Sequence, residues 1–293
     1  MSNERHGAGS AVAIAIAAIA LVVAVGGIVR RPPSSTVAQG TPGILTAIRD
    51  KHVIDAGYGV YPPYTMEDAA TGKVSGYSID LVEAIGKALG VRVAWHRINW
   101  DTMAPDLKRG AFDVVADPIF LTIPRAPEFA FSEPYAYFPD GIAVVRIDET
   151  RFKSFGDLDA RGITINVGLG QASEALVRAH FSKATIQPVP TGTDNMRIFA
   201  DVLAGRSDVA VADLPNAKRA VDEHPTKLKA LWMGSPPAYM PAGFALRPDD
   251  RDGAEFFSVC IRNLRSTGVM AALEGKYDLP SLDEPKSPSL SGR

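Results

Sequence analysis

The chain has little of what metal and redox chemistry depends on. It carries one cysteine, Cys260, and five histidines in 293 residues, so an intramolecular disulfide and a thiolate metal cluster are excluded. His6, His52, His96, His180 and His224 share no metal-ligand spacing, and no GxSxG, HExxH or phosphate-loop motif occurs. No metal, no cofactor and no catalytic agent is expected; the chain reads as a non-enzyme. An excess of positive charge is missing too. Without residues 1–31 the chain has 28 basic and 32 acidic side chains, which argues against nucleic acid as a partner.

Charge is also absent from residues 11–29, and that absence is informative. A run of about 20 apolar residues is what a helix needs to cross a bilayer. Arg5 and His6 precede it as in a secretory signal, and Ala24-Val25-Gly26 offers small residues for cleavage. The length suits a retained helix equally well, with Arg30 and Arg31 on its far side. Residues 1–31 are therefore read as a signal peptide or an anchor in the inner membrane, and residues 32–43, rich in Pro and Ser, as a linker. The folded part is expected outside the cytoplasm, in the periplasm or its equivalent.

Past residue 43, short β-branched runs alternate with helical patterns, as in an α/β protein with a largely parallel sheet. Ser78 is placed to cap a helix running through Leu89, with Asp80 in its first turn and Gly90 at its end. Val91, Val93 and Trp95 alternate as a strand; Asp101 is placed to cap a helix to Arg109; Val114 to Ala116 reads as a buried strand. An echo follows, with Leu107 to Val114 resembling Leu203 to Val209: helix, glycine stop, acidic turn, strand. It predicts a second lobe with strands at Ile163 to Val167 and Val209 to Ala212 and helices at Ser173 to Phe181 and Thr193 to Ala204. Cys260, on a helix from Gly253 to Thr267, reads as a buried small hydrophobe.

Open α/β sheets bind ligands beyond the carboxyl ends of their strands, and clefts between domains add walls. Four exits are candidates. The first, Tyr58-Gly-Val-Tyr61-Pro-Pro-Tyr64, offers rings that either face a ligand or fill the core, as does Trp100. The second, Asp117-Pro-Ile-Phe120-Leu-Thr122-Ile-Pro124-Arg125, sets a guanidinium beside a helix start, suited to a carboxylate or left at the surface. The third, Gly168-Leu-Gly170-Gln171-Ala172-Ser173, lacks the third glycine and the acid of a dinucleotide site but can bring backbone amides to a small anion. At the fourth, Asp213 either caps the helix near Pro215 or presents a carboxylate to the cleft.

Taken together, these segments resemble the bacterial extracellular solute-binding proteins of the polar amino-acid type, which feed ABC importers. The pieces that carry the likeness are Tyr61-Pro-Pro-Tyr64, Gly76-Tyr-Ser-Ile-Asp80-Leu, Gly110-Ala-Phe-Asp113-Val, Arg125 before Phe131-Ser-Glu-Pro-Tyr135, and Gly243-Phe-Ala-Leu-Arg247. The resemblance implies a two-lobed periplasmic-binding-protein-like (type II) fold, with two doubly wound sheets joined by two crossover strands and one N-terminal hydrophobic helix ahead of them. Residues 44–138 and 242–279 would form the first lobe, 139–241 the second, and 280–293 a disordered tail. It also implies roles: Arg125 for an amino acid's α-carboxylate, Asp213 for its α-ammonium, and Tyr61 and Trp100 against its side chain. The loop Gly170, Gln171 and Ala172 would add contacts from the second lobe, and Tyr58 and Phe120 would complete the pocket. Pro118 and Phe120 stand where the family pattern has a glycine and a hydroxyl residue, and Tyr58 where some members have an acid. The implied partners are an amino acid and an ABC permease or other membrane protein, with the chain itself a monomer. A cyclohexadienyl dehydratase-like enzyme, with Asp117 or Asp213 as acid, and a membrane-tethered ligand sensor are the alternatives.

Overall fold

The structure, a computed structural model, describes residues 42–285. The expected N-terminal hydrophobic helix, with its roles as signal or anchor, and residues 286–293 lie outside that range. Among the described residues no helix is long and apolar enough to cross a membrane.

Strands form where β-branched and small apolar residues repeat with period two or run continuously, and they assemble into two large sheets beside a two-stranded ribbon of Met66–Glu67 and Val74–Ser75. The first is built from β1 (Val53–Tyr58), β2 (Arg92–Arg97), β3 (Val114–Phe120), β4 (Ala130–Phe131) and β5 (Ala136–Asp140). The second holds β6 (Ile142–Arg146), β7 (Thr164–Gly168), β8 (Thr185–Val189), β9 (Val209–Ala212) and β10 (Leu228–Leu231), and the chain then returns to the first through β11 (Ala238–Leu246). The strand order is β2-β1-β3-β11-β4, with β5 also on β11, in the first sheet and β8-β7-β9-β6-β10 in the second. β1 pairs in parallel with β2 and β3, and β7 with β8 and β9. The strands on either side of the crossings, β6, β10 and β11, are antiparallel to their neighbours. This is the two-lobed α/β architecture expected.

Each sheet is buried on both faces, as parallel strands require. Alternation shows how. Ala143, Val145, Val209 and Val211 face one core of the second lobe, while Ile142, Val144, Ala210 and Ala212 face the other. In the first lobe Val114 and Ala116 enter the core under the helices Tyr77–Leu89 and Arg251–Ser266, and Val115 and Ile119 enter the core beneath Met103–Lys108. The echoed segments both lead into a strand paired with its lobe's first parallel strand, β3 on β1 and β9 on β7.

Several local expectations are corrected. Gly76, not Ser78, precedes the first long helix, and the buried Ser78 hydroxyl meets the Tyr135 hydroxyl at 3.0 Å. The helix expected from Thr193 to Ala204 is a 3₁₀ segment, Asn195–Phe199, followed by one turn, Ala200–Leu203. Asp194 ends the chain's extended entry there by accepting from the Met196 amide. Cys260 is half-buried, and burial pushes its thiol up to about 11. Leu282, within the stretch expected to be a disordered tail, is 3% exposed in the first lobe's core, and its carbonyl accepts from the Tyr137 amide at 3.0 Å.

A single residue, Gly141, separates β5 of one sheet from β6 of the other. Its φ is +82°, and a Cβ there would lie 3.0 Å from Pro237 and 3.1 Å from Leu176. Side-chain-bearing residues pay about 1–2 kcal/mol in the left-handed region. Gly141→Ala should therefore lower unfolding free energy by at least about 1 kcal/mol in urea titration, where a conventional strand residue would not.

Candidate functional site

The lobes close over a cavity of about 310 Å³, at the small end of metabolite pockets. Eight of the nine expected residues line it: Tyr61, Trp100, Phe120, Arg125, Gly170, Gln171, Ala172 and Asp213. Tyr58 does not. It is buried at the end of β1, edge-on to Trp95 with ring centroids 6.2 Å apart, on the side of the sheet flanked by β2.

Four aromatic residues, Tyr61, Trp100, Phe120 and Phe129, line the cavity. Tyr61 stacks on Tyr64 at 5.4 Å between centroids, and Phe120 packs on Phe138 at 5.3 Å. Beneath them Asp117 is fully buried; it accepts from the Gly59 amide at 2.6 Å and from the Thr65 hydroxyl, which ties the β1 exit to β3. Asp117 is not among the cavity-lining residues. Gly59 lets the Trp100 ring sit against the backbone, since a Cβ there would fall 2.2 Å from the ring. The Trp100 indole N–H is buried without a hydrogen-bond partner.

Asp213 fulfils both of its alternatives. It caps the helix Leu214–Glu223, accepting from the Asn216 amide at 3.0 Å and side chain at 2.8 Å, and it lines the cavity. Its third donor is the Tyr61 hydroxyl of the other lobe, at 2.9 Å. Burial pushes its carboxyl up, and these hydrogen bonds oppose the rise. Arg125 sits in the 3₁₀ turn Ile123–Arg125 rather than at the start of a longer helix. Its Nε donates to the Gly170 carbonyl at 3.2 Å, across the cleft, and its Nη1 to the Phe120 carbonyl at 3.4 Å. Burial pushes its guanidinium down to about 10, so it stays charged at neutral pH. Among the described residues neither Arg125 nor Asp213 forms an ion pair.

The third exit is more occupied than expected. The Gly170 amide donates to Glu174 at 2.7 Å, and the Gln171 side chain donates to Asn195 at 2.8 Å. Four contributors were not legible as site residues. Asp101 does not cap its helix, whose preceding residue is Thr102. Its carboxylate instead crosses to the other lobe and accepts from the Thr191 and Gly192 amides at 3.1 and 3.0 Å, while the Trp100 amide donates to the Gly192 carbonyl at 2.8 Å. Asp140 is fully buried at the crossover and bonds the Ser173 hydroxyl at 2.6 Å. Asn195 and Asn216 complete the polar lining.

A closed two-lobed α/β structure with a charged interior and backbone bonds across its mouth defines a binding protein that engulfs a small molecule. Residues 54–279 match the bacterial extracellular solute-binding proteins, family 3, and the chain belongs to that family. It is similar to the L-cystine-binding protein TcyJ of Escherichia coli strain K12, at 25% identity over 236 residues, 80% of this chain and 86% of that one. It is 27% identical over 169 residues to the cyclohexadienyl dehydratase of Pseudomonas aeruginosa, 57% of this chain and 61% of the enzyme. Among solved structures it resembles the ancestral amino acid-binding protein AncCDT-1, a precursor of cyclohexadienyl dehydratase, with TM-score 0.68 and 27% identity over 80% of this chain and 99% of the other. Family membership places its work outside the cytoplasm.

Two outcomes follow from this geometry. Asp101→Ala removes both amide acceptors at the cleft mouth, and solution scattering should show a larger radius of gyration than for the unmodified protein. Burial pushes the carboxyls of Asp117 and Asp140 up to about 7, far above the range of an unfolded chain. The folded state then binds protons that the unfolded state has lost, so their contribution to stability grows as pH falls from 7 toward 4, by on the order of 3 kcal/mol each. Glu149, held down to about 2 chiefly by its hydrogen bonds with Arg151, opposes this only below pH 4.5. The thermal midpoint should therefore be higher at pH 5.5 than at pH 8.

Proposed function

We propose that the protein captures an amino acid between its lobes and delivers it to an ABC permease. The observation that carries this reading is a pair of opposite charges without ionic partners: the half-buried Arg125 on the first lobe and the buried Asp213 on the second. An α-carboxylate on the guanidinium and an α-ammonium on the aspartate supply both missing counter-charges at once, and only in the closed form. The buried Trp100 N–H is a further donor for the carboxylate, and Tyr61 and Phe120 give the side chain an apolar wall. Gln171 and Ala172 border it from the second lobe. Relatives named for binding L-cystine and other amino acids support the same class of ligand.

Residues 11–29 would hold the protein at the outer face of the inner membrane, as a retained anchor, or direct its export as a cleaved signal. One chain suffices for the site, in keeping with a monomer. The partial likeness to a dehydratase raises an enzyme as the second reading. Of the two acids that such chemistry would draw on, Asp117 lies behind the cavity wall and Asp213 is committed to capping a helix, which favours capture over turnover.

Micromolar capture corresponds to about 8 kcal/mol, and deleting one member of a buried charged contact costs roughly 2–5 kcal/mol. A thermal-shift screen of the full-length protein against the twenty amino acids should find a stabilising ligand. Arg125→Gln and Asp213→Asn, the latter chosen because asparagine still caps the helix, should each weaken its binding at least about tenfold. Unchanged affinity in both variants would overturn the assignment.

A further inference from the structure

The charges around the cavity do not cancel. Of the residues lining it, Asp101, Glu128 and Asp213 are acidic and Arg125 alone is basic. Asp101 is engaged by the Thr191 and Gly192 amides, and Glu128 is neutralised by Lys108 at 2.5 Å. What remains is Arg125 against Asp213, a balance that an ordinary zwitterion matches.

One more carboxylate disturbs that balance. Asp140 ends β5 at the crossover and is 0% exposed. Its Oδ1 accepts from the Ser173 hydroxyl and the Gly141 amide, both at 2.6 Å, and Ser173 lines the cavity. Its Oδ2 is buried with no hydrogen-bond partner. The groups that feel its charge are those of the site: Asp140 raises the Tyr61 hydroxyl, supports the charge on Arg125, and is itself pushed up by burial and then by Asp213. Arg125 and Asp213 are thus the charged neighbours of Asp140, from the first and second lobes respectively.

A buried charge without a counter-charge is costly, and such a site moves toward neutrality by gaining a proton or a partner. With both carboxyls ionised, Arg125, Asp140 and Asp213 together would carry one negative charge in excess. A zwitterion is neutral and leaves that excess in place. A ligand of net charge +1 removes it and lets both carboxyls ionise.

We propose that Asp140 is a specificity-determining residue that, together with Asp213, selects an amino acid bearing a second positive charge on its side chain. The selection rests on the amino-acid reading above and sharpens it. Asp140 acts from the hinge, so the charge that chooses the ligand lies on the segment about which the lobes turn.

Arginine and citrulline decide the matter, because they differ in side-chain charge and hardly in shape; lysine and glutamine form a second pair. Calorimetric titration of the full-length protein at pH 7 should show arginine or lysine binding at least about tenfold more tightly than its neutral counterpart, a difference of ~1.4 kcal/mol. Asp140→Asn and Asp140→Ser, checked for folding by their thermal midpoints, should reduce that ratio to below about threefold. Where neither variant folds, titration of the unmodified protein in buffers of different ionisation enthalpy replaces them: cation binding should release protons as the buried carboxyls ionise. Neutral amino acids binding as tightly as arginine and lysine would overturn the selection and leave the amino-acid reading intact. An undiminished cation preference in either folded variant, or binding without proton release, would overturn the role of Asp140. Failure of all amino acids to bind would overturn both.

Discussion

The structure is organised around two charged side chains of opposite sign, a half-buried Arg125 and a buried Asp213 on different lobes, that the chain itself does not join in an ion pair. Desolvating an ion costs several kcal/mol, and a protein recovers that cost with a counter-ion or with dipoles. Here dipoles are used. Asp213 is held by two donors from Asn216 and one from Tyr61, and Arg125 by the Gly170 and Phe120 carbonyls. Those contacts hold both groups in place, and the hydrogen bonds on Asp213 oppose the rise that burial imposes on its carboxyl. Aromatic rings around them exclude water, which strengthens whatever electrostatic interaction the ligand brings.

Closure draws on the chain's own hydrogen bonds as well as on the ligand. The bonds of Trp100 and Asp101 to Thr191 and Gly192, and that of Tyr61 to Asp213, all run from one lobe to the other. Each is worth on the order of 1–3 kcal/mol net, and together they favour the closed form. A ligand that touches both lobes adds its differential affinity to that balance and shifts the population. The crossover supplies the pivot: Gly141 permits the turn, and the buried Asp140 beside it joins the pivot to the chemistry of the cleft.

Much of this was legible in the sequence, for identifiable reasons. The central strands announce themselves because both faces of each sheet are covered, so Val114 to Ala116 and Val209 to Ala212 are continuous apolar runs. Likeness to a known family, carried by segments such as Tyr61 to Tyr64 and the stretch around Arg125, supplied the pairing of Arg125 with Asp213, which spacing alone left open. Local chemistry misled where a tertiary partner outbid it. Ser78 has the chemistry of a cap but turns to Tyr135, and Asp101 precedes a helix yet reaches the other lobe's amides. Tyr58 follows the strand's alternation onto Trp95 instead of into the cleft. Asp140 was invisible because Asp-Gly reads as turn chemistry, and only the crossing of the chain between two sheets reveals a carboxylate in the interior.

The central claim is that one small molecule satisfies both lobes' unpaired charges together. A crystal structure of the protein with the amino acid that most raises its thermal midpoint tests this most directly. The account predicts the ligand's carboxylate on the Arg125 guanidinium and its ammonium on the Asp213 carboxylate, each at about 3 Å. A ligand held by one lobe alone, or seated away from either charge, would contradict it.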